Sequence, residues 1–321
     1  MNFPVFDLHC DTALALLGVE RKGAASLRKN NLHIDLERAK TLPGYAQCFA
    51  CYTSTWDHER PGGKTVEEVF EAERAMILRE VQNNSDMIHL AGSASDVSDN
   101  LEQGIMSAIL TIEGPAGFGF APERLEDLYR DGFRISTLGW NEKNCLTGSH
   151  KTGGGLTDRG REYVKEAQRL GMIIDVSHIS DEGFWDIMNV TNVPVIASHS
   201  NSRAVCGSSR NLTDDMFRAI CQTGGVAGSN QFSYFVADEA AKADLDKVCD
   251  HILHFLEIDP EGKHIALGGD LDGCDMLPEG FAGVQDYPKM AQKLLDRGLT
   301  EQMVYDIFWN NALGVIKQCC T

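Results

Sequence analysis

The chain is short of positive charge. Against 47 aspartates and glutamates it has 29 lysines and arginines, a formal net charge of −18. So large an excess of acid repels phosphate backbones and anionic lipid, which argues against nucleic acid and membrane surfaces as partners. The sequence also has no apolar stretch near the ~20 residues of a membrane span. Met1 leads straight into an apolar run, with no basic segment, leader core or cleavage site before it. The expected location is therefore the cytoplasm. Low-complexity tracts and long linkers are missing too. Paired cysteine motifs are absent: ten cysteines are scattered along the chain, several inside apolar runs, which fits reduced, buried thiols. Cys48-Phe-Ala-Cys51 is a CxxC without a second copy, so a zinc ribbon has little support.

What is present is ordinary in bulk and ordered in detail. Hydrophobic residues make up 43% and charged residues 24%, enough for a real core. Short apolar runs alternate with amphipathic stretches, the mark of βαβ units and a parallel sheet. Eight principal strands are expected at 3–8, 46–52, 107–112, 134–138, 172–176, 194–197, 225–229 and 264–268, with an extra strand outside the barrel at 87–91. Helices are expected over 65–82, from 157–158 to 170, over 180–189, 213–223, 245–256 and 284–295, and in one or two segments over 301–317.

Metal-type side chains recur at the carboxyl ends of five of these runs. Phe3–Asp11 ends in His9 and Asp11, Ala108–Glu113 in Glu113, Met172–His178 in His178, Pro194–His199 in His199, and His264–Asp270 in Asp270. In a (β/α)8 barrel the chemistry is built where the parallel strands end. The expected fold is therefore α/β, a (β/α)8 TIM barrel of the metal-dependent hydrolase type, as one domain over residues 1–321. The expected site is a two-metal centre.

Each residue also has a plain structural reading. His9 and Asp11 share a strand face, yet a hydrogen-bonded histidine and a helix-capping aspartate fit equally well. His33-Ile-Asp35 repeats the HxD pattern without a long strand before it, and Asp35 reads as a helix N-cap. Glu113 closes a run where an unpaired carboxylate is costly; a buried salt bridge is the alternative to a carboxylate bridging two cations. His178 and His199 singly are ordinary strand-end histidines. With His9, Asp11 and Glu113 they form a set of imidazoles and carboxylates suited to Zn²⁺, with Mn²⁺, Co²⁺ or Fe²⁺ also compatible. Asp270 lies in Gly268-Gly-Asp-Leu-Asp-Gly273, which lacks the closing glutamate of a calcium-binding EF-hand loop. Asp270 would face the metals and shuttle a proton, whereas Asp272 would point elsewhere. Arg210 is either solvent-facing or a clamp for a substrate carboxylate.

Taken together, Phe6-Asp-Leu-His-Cys-Asp11, Gly155-Leu-Thr-Asp-Arg-Gly160, Asp175-Val-Ser-His-Ile-Ser180, Ser198-His-Ser-Asn201, Gly268-Gly-Asp-Leu-Asp-Gly273 and Trp309-Asn-Asn-Ala312 resemble the membrane (renal) dipeptidase family, the M19 metallopeptidases. The resemblance runs over essentially the whole chain and implies a barrel with two Zn²⁺ ions. His9 and Asp11 would hold one ion, His178 and His199 the other, and Glu113 would bridge them. It further implies that Arg210 binds the carboxylate of a dipeptide and that Asp270 lies near the substrate amine and a bridging hydroxide, with a homodimer typical. Substrates with a C-terminal D-residue fall within what it implies. One departure stands out: animal members carry a histidine where this chain has Trp140, within Thr137-Leu-Gly-Trp-Asn141. Trp140 is then expected in the substrate site, with the metals alone, or His150 swinging in from the next loop, stabilising the transition state. Two other functions compete with dipeptide hydrolysis. One is a binuclear amidase or lactonase acting on another small carboxylate-bearing substrate; the other is a zinc-binding scaffold whose site is a relic.

Overall fold

The computed structural model describes residues 3–20, 26–55 and 63–320. Among the described residues nine strands are present: β1 Val5–Cys10, β2 Tyr45–Tyr52, β3 Ile88–Leu90, β4 Met106–Glu113, β5 Phe133–Thr137, β6 Ile173–Asp175, β7 Val195–Ile196, β8 Ala227–Ser229 and β9 Ile265–Leu267. All pairings between them are parallel, and eight strands run in the order β7-β6-β5-β4-β2-β1-β9-β8. A bridge between Ala197 and Ala227 joins the two ends, so the sheet closes on itself as an α/β barrel. β3 is the extra strand: it pairs with Met106–Ala108 on the lower half of β4, and β5 takes the upper half. Closure is tight at β7–β9. A Cβ at Gly228 or Gly268 would overlap the Ser198 carbonyl oxygen, so only glycine lets these backbones approach.

The helices start where capping chemistry places them. Thr157, Ser180 and Thr213 each accept an N–H at the start of the helices Asp158–Leu170, Asp181–Val190 and Asp214–Thr223, satisfying orphan donors. Gly171 and Gly224, at φ 87° and 81°, end the first and the third. The C-terminal stretch is one path broken by a wide turn: Glu301–Tyr305, then Asp306–Asn310, then the helix Asn311–Cys319.

Two apolar layers result. Outward-facing strand residues pack under the helices. Inside the barrel Phe6, Leu8, Ala46, Cys48, Ile109, Ile135, Ile173, Ile196 and Ala266 meet Trp309, Ala312, Val315 and Ile316. The C-terminal segment thus plugs the amino end of the barrel, with the Trp309 and Phe6 rings 5.7 Å apart. Cys48 belongs to the inner layer and Cys51 to the outer one, so the CxxC thiols lie on opposite faces. Among the described residues every cysteine is free, and no helix is long and apolar enough to cross a membrane.

Candidate active site at the carboxyl ends of the strands

At the open end the strand-end residues converge. Glu113 arrives in phase, because Ile109 faces the inner layer and alternation brings Glu113 to the same side. The three histidines arrive out of phase. Phe6 and Leu8 already face inward on β1, which would send His9 outward. A register shift between Asp7 and Cys10 adds one residue to β1 relative to β2, and His9 then turns into the barrel. On β6, Ile173 faces inward and Ile174 and Val176 outward. His178 escapes that alternation at φ 71°, in the left-handed region where L-residues are strained. His199 lies three residues past the inward Ile196, beyond the last strand pairing. Asp270 likewise sits at φ 56°.

The two oxygens of Glu113 divide the cluster. Oε2 lies 3.4 Å from His9 Nε2, which is also 3.4 Å from Asp11 Oδ2 and 3.9 Å from Asp270 Oδ1. Oε1 lies 2.9 Å from His178 Nε2 and 3.7 Å from His199 Nε2, and those two ring nitrogens are 2.9 Å apart. Partners behind the rings set their orientation. The Asn141 side-chain oxygen accepts from His178 Nδ1 at 3.1 Å, so the Nε2 lone pair of His178 points inward. His199 Nδ1 bonds Ser198 Oγ at 2.6 Å, and Ser198 Oγ in turn donates to Asp175. His9 stacks on His199 with centroids 3.8 Å apart.

Electrostatics show what the cluster wants. Burial, reinforced by Asp11, pushes the Glu113 carboxyl up to about 8. Burial also raises Asp270, against the pull of His9 and with Asp11 adding to it. Burial alone would lower His9, but Glu113 and then Asp11 override it and raise it well above the usual histidine value. Burial drives His178 and His199 well below the usual value, with Arg210 adding to this first at His178 and His9 first at His199. Crowded buried carboxylates hold protons here because burial and their mutual repulsion outweigh the positive charge nearby. A divalent cation meets the same need. His9 Nε2 and Asp11 Oδ1 are buried without a hydrogen-bond partner. Two sets of ligand atoms lie within 4.8 Å of one another: His9, Glu113 and His199, and His9, Asp11 and Asp270. Imidazole and carboxylate together suit zinc and related ions, so the residues present fit a metal.

The other expected residues surround this cluster. Asn230 Nδ2 donates to Asp270 Oδ2 at 3.0 Å, which leaves Oδ1 toward the histidines. Asp272 lines the same cavity, but its carboxylate is taken up by Thr12 Oγ1 and the His33 N–H, which donate to it at 2.6 Å each. Trp140 lines a cavity of about 430 Å³ with Asp11, Glu113, His178 and Asp270; its ring packs edge-on against Tyr52, with centroids 5.1 Å apart. Arg210 is buried behind the cavity wall rather than on its lining. Its guanidinium donates to Ser200 Oγ at 3.1 Å and to the His199 carbonyl at 3.3 Å, while Nε has no partner. His150 bonds Asn141 Oδ1 at 2.8 Å and Ser209 Oγ at 2.9 Å, on the cavity wall. Burial, and then Arg210, pushes its pKa down to about 3, so the ring is neutral.

Sequence reasoning missed the supporting residues Asn141, Asn230, Asp175 and Ser198, and the aromatic wall of Phe232, Tyr234 and Phe235. The available signal was position: Asn141, Asp175, Ser198 and Asn230 each follow or end a strand.

A closed parallel barrel whose strand ends gather histidines and carboxylates defines a barrel protein of the metal-dependent hydrolase type. A profile of the membrane dipeptidase family, peptidase family M19, matches residues 1–321. An uncharacterised dipeptidase of Schizosaccharomyces pombe is 35% identical over 216 residues, 66% of this chain and 53% of that protein; the match thus spans about half of the yeast protein's length. An uncharacterised Klebsiella pneumoniae protein is 33% identical over 254 residues, 76% of this chain and 93% of its own. A Rhodobacter sphaeroides metallopeptidase, solved with a phosphinate mimic of the dipeptide L-Ala-D-Ala, superposes with a TM-score of 0.89 at 25% identity, covering 99% of this chain and 100% of that one. The chain belongs to the membrane dipeptidase family.

Proposed function

We propose that the protein is a binuclear zinc dipeptidase that hydrolyses the peptide bond of dipeptides, including those with a C-terminal D-residue. The observation that carries this reading is the split of Glu113, one oxygen toward His9, whose ring also meets Asp11, the other toward His178 and His199. His9, Asp11, Glu113, His178 and His199 would hold the metals. When bound, divalent metals supply an activated water near neutral pH and Lewis-acid polarisation of the scissile carbonyl. Asp270 Oδ1, left free by the Asn230 bond to Oδ2, takes a proton from the attacking water and returns it to the leaving amine nitrogen. The guanidinium of Arg210, just behind the cavity wall with Nε unpaired, would fix the free C-terminal carboxylate and so limit the substrate to two residues, because a longer peptide would present an amide there. Trp140 and Tyr52 wall the cavity against which the substrate lies. The phosphinate mimic of L-Ala-D-Ala bound by the R. sphaeroides structure supports both the dipeptide and the D-residue.

The test is hydrolysis of L-L and L-D dipeptides beside a tripeptide, with chelator and with added Zn²⁺. Chelator-sensitive cleavage of dipeptides but not of the tripeptide is expected. Zinc-loaded protein that cuts no dipeptide sinks the reading and moves the weight to another carboxylate-bearing amide or lactone.

A further inference from the structure

We propose that Lys151 selects dipeptides whose C-terminal residue carries an acidic side chain. The inference rests on the dipeptidase reading and deepens it to a substrate class.

The cavity is polarised. Asp11, Glu113, Asp270 and Asp272 line it, and among its lining residues Lys151 alone bears a permanent positive charge. In a chain of net charge −18 an unpaired cation facing the site is conspicuous. Among the described residues no carboxylate pairs with Lys151, whereas nearby Arg203 is held by both oxygens of Asp181, at 2.7 and 2.8 Å.

The turn that carries Lys151 is pinned in place. The His150 N–H donates to the His178 carbonyl at 2.9 Å. Ser149 Oγ donates to the Asn141 carbonyl at 2.7 Å, and the Ser149 carbonyl accepts from the N–H groups of Thr152 and Gly153 at 3.0 and 2.9 Å. The lysine side chain is exposed, a four-carbon stem with a strongly hydrated charge at its tip.

Position decides which half of the substrate it meets. His150, its neighbour, bonds Ser209, which precedes Arg210. The Lys151 wall is therefore on the Arg210 side of the cavity, where the C-terminal carboxylate is fixed. With the main-chain carboxylate taken by Arg210, the group left for Lys151 is the side chain of the second residue. The positive charges of Arg210, Lys151 and Arg203 gather on this side of the cavity, around His150. That side of the cavity attracts anions.

The experiment compares Ala-Glu, Ala-Gln and Ala-Lys on the zinc-loaded full chain and its Lys151→Glu variant, by kcat/KM and by calorimetric binding of the matching phosphinate analogues. An exposed ion pair implies a preference of about fivefold for Glu over Gln, with Lys lowest, shrinking at high salt. Lys151→Glu should reverse the Glu-to-Lys ratio. A wild type indifferent to these side chains, or a variant that weakens all three by one factor, overturns the proposal. If no peptide is cut, the dipeptidase reading fails, and the order of analogue binding still decides the role of Lys151.

Discussion

At its amino end the barrel is filled by Trp309, Ala312, Val315 and Ile316 against Phe6, Leu8 and Ile109. One or two turns of chain further along the same strands, the carboxyl end holds His9, Glu113, His178 and His199, equally buried. The burial is alike and its energetics are opposite. Apolar side chains removed from water stabilise the fold by about 25 cal/mol per Å², whereas carboxylates and imidazoles lose hydration that only a partner restores. The left-handed backbone at His178 and Asp270 adds about 1–3 kcal/mol of strain each. One end of the barrel supplies the rigidity that lets the other hold a crowded, strained constellation.

The comparison can be broken from either side. Asp270→Asn should lower kcat by about 10²–10⁴-fold, the usual range for a general base, while zinc content by atomic spectroscopy stays near wild type. Equal losses in both would remove Asp270 from proton transfer. At the other end Trp309→Ala should cost about 3–5 kcal/mol in denaturant unfolding and leave zinc stoichiometry in the folded protein intact. Arg210→Lys keeps the charge but loses the planar fork. It should raise KM for dipeptides, lowering kcat/KM by about 10- to 100-fold, and an unchanged KM would mean that the substrate carboxylate lies elsewhere. Asn141→Leu removes the acceptor that orients His178, and zinc affinity by competition with a chelator should fall about 10- to 100-fold.

The smallest effect is a pH slope in the metal-free protein. Glu113 and His9 both hold their protons more tightly folded than unfolded. A raised folded pKa contributes stability that is present below the unfolded pKa and lost as pH rises through the folded one. The lowered histidines, His178 and His199, act only below about pH 6.5, the unperturbed histidine value. Between pH 6.5 and about 8 the metal-free protein should therefore lose stability, and Glu113→Gln should flatten that loss. A slope unaffected by the substitution would remove Glu113 as its source.

Two HxD pairs show how far the sequence could be read. Asp35 caps the helix Leu36–Ala39, as its context suggested, accepting from the Arg38 N–H. His33 bonds Asp272 through its backbone N–H, and its ring accepts from the Asp272 N–H at 2.9 Å, bracing the loop that carries Asp270. His9 and Asp11 have the same letters and spacing but end a strand buried on both faces. Context along the chain separated the pairs. It did not reveal that His9 reaches the site through a register shift, nor that Arg210 lies behind the cavity wall with its Nε unpaired.

The sequence by itself determined the order of strands and helices, the capped helix starts and the placing of five metal-type ends. Those depend on side-chain periodicity and local hydrogen bonding, which act over a few residues. Only the tertiary structure decided which way each ending turns. By simple alternation His9, His178 and His199 would face the helices; a bulge, a left-handed residue and an early strand end bring them inward instead. Such departures are strained in isolation, and they persist because the surrounding barrel over-determines them.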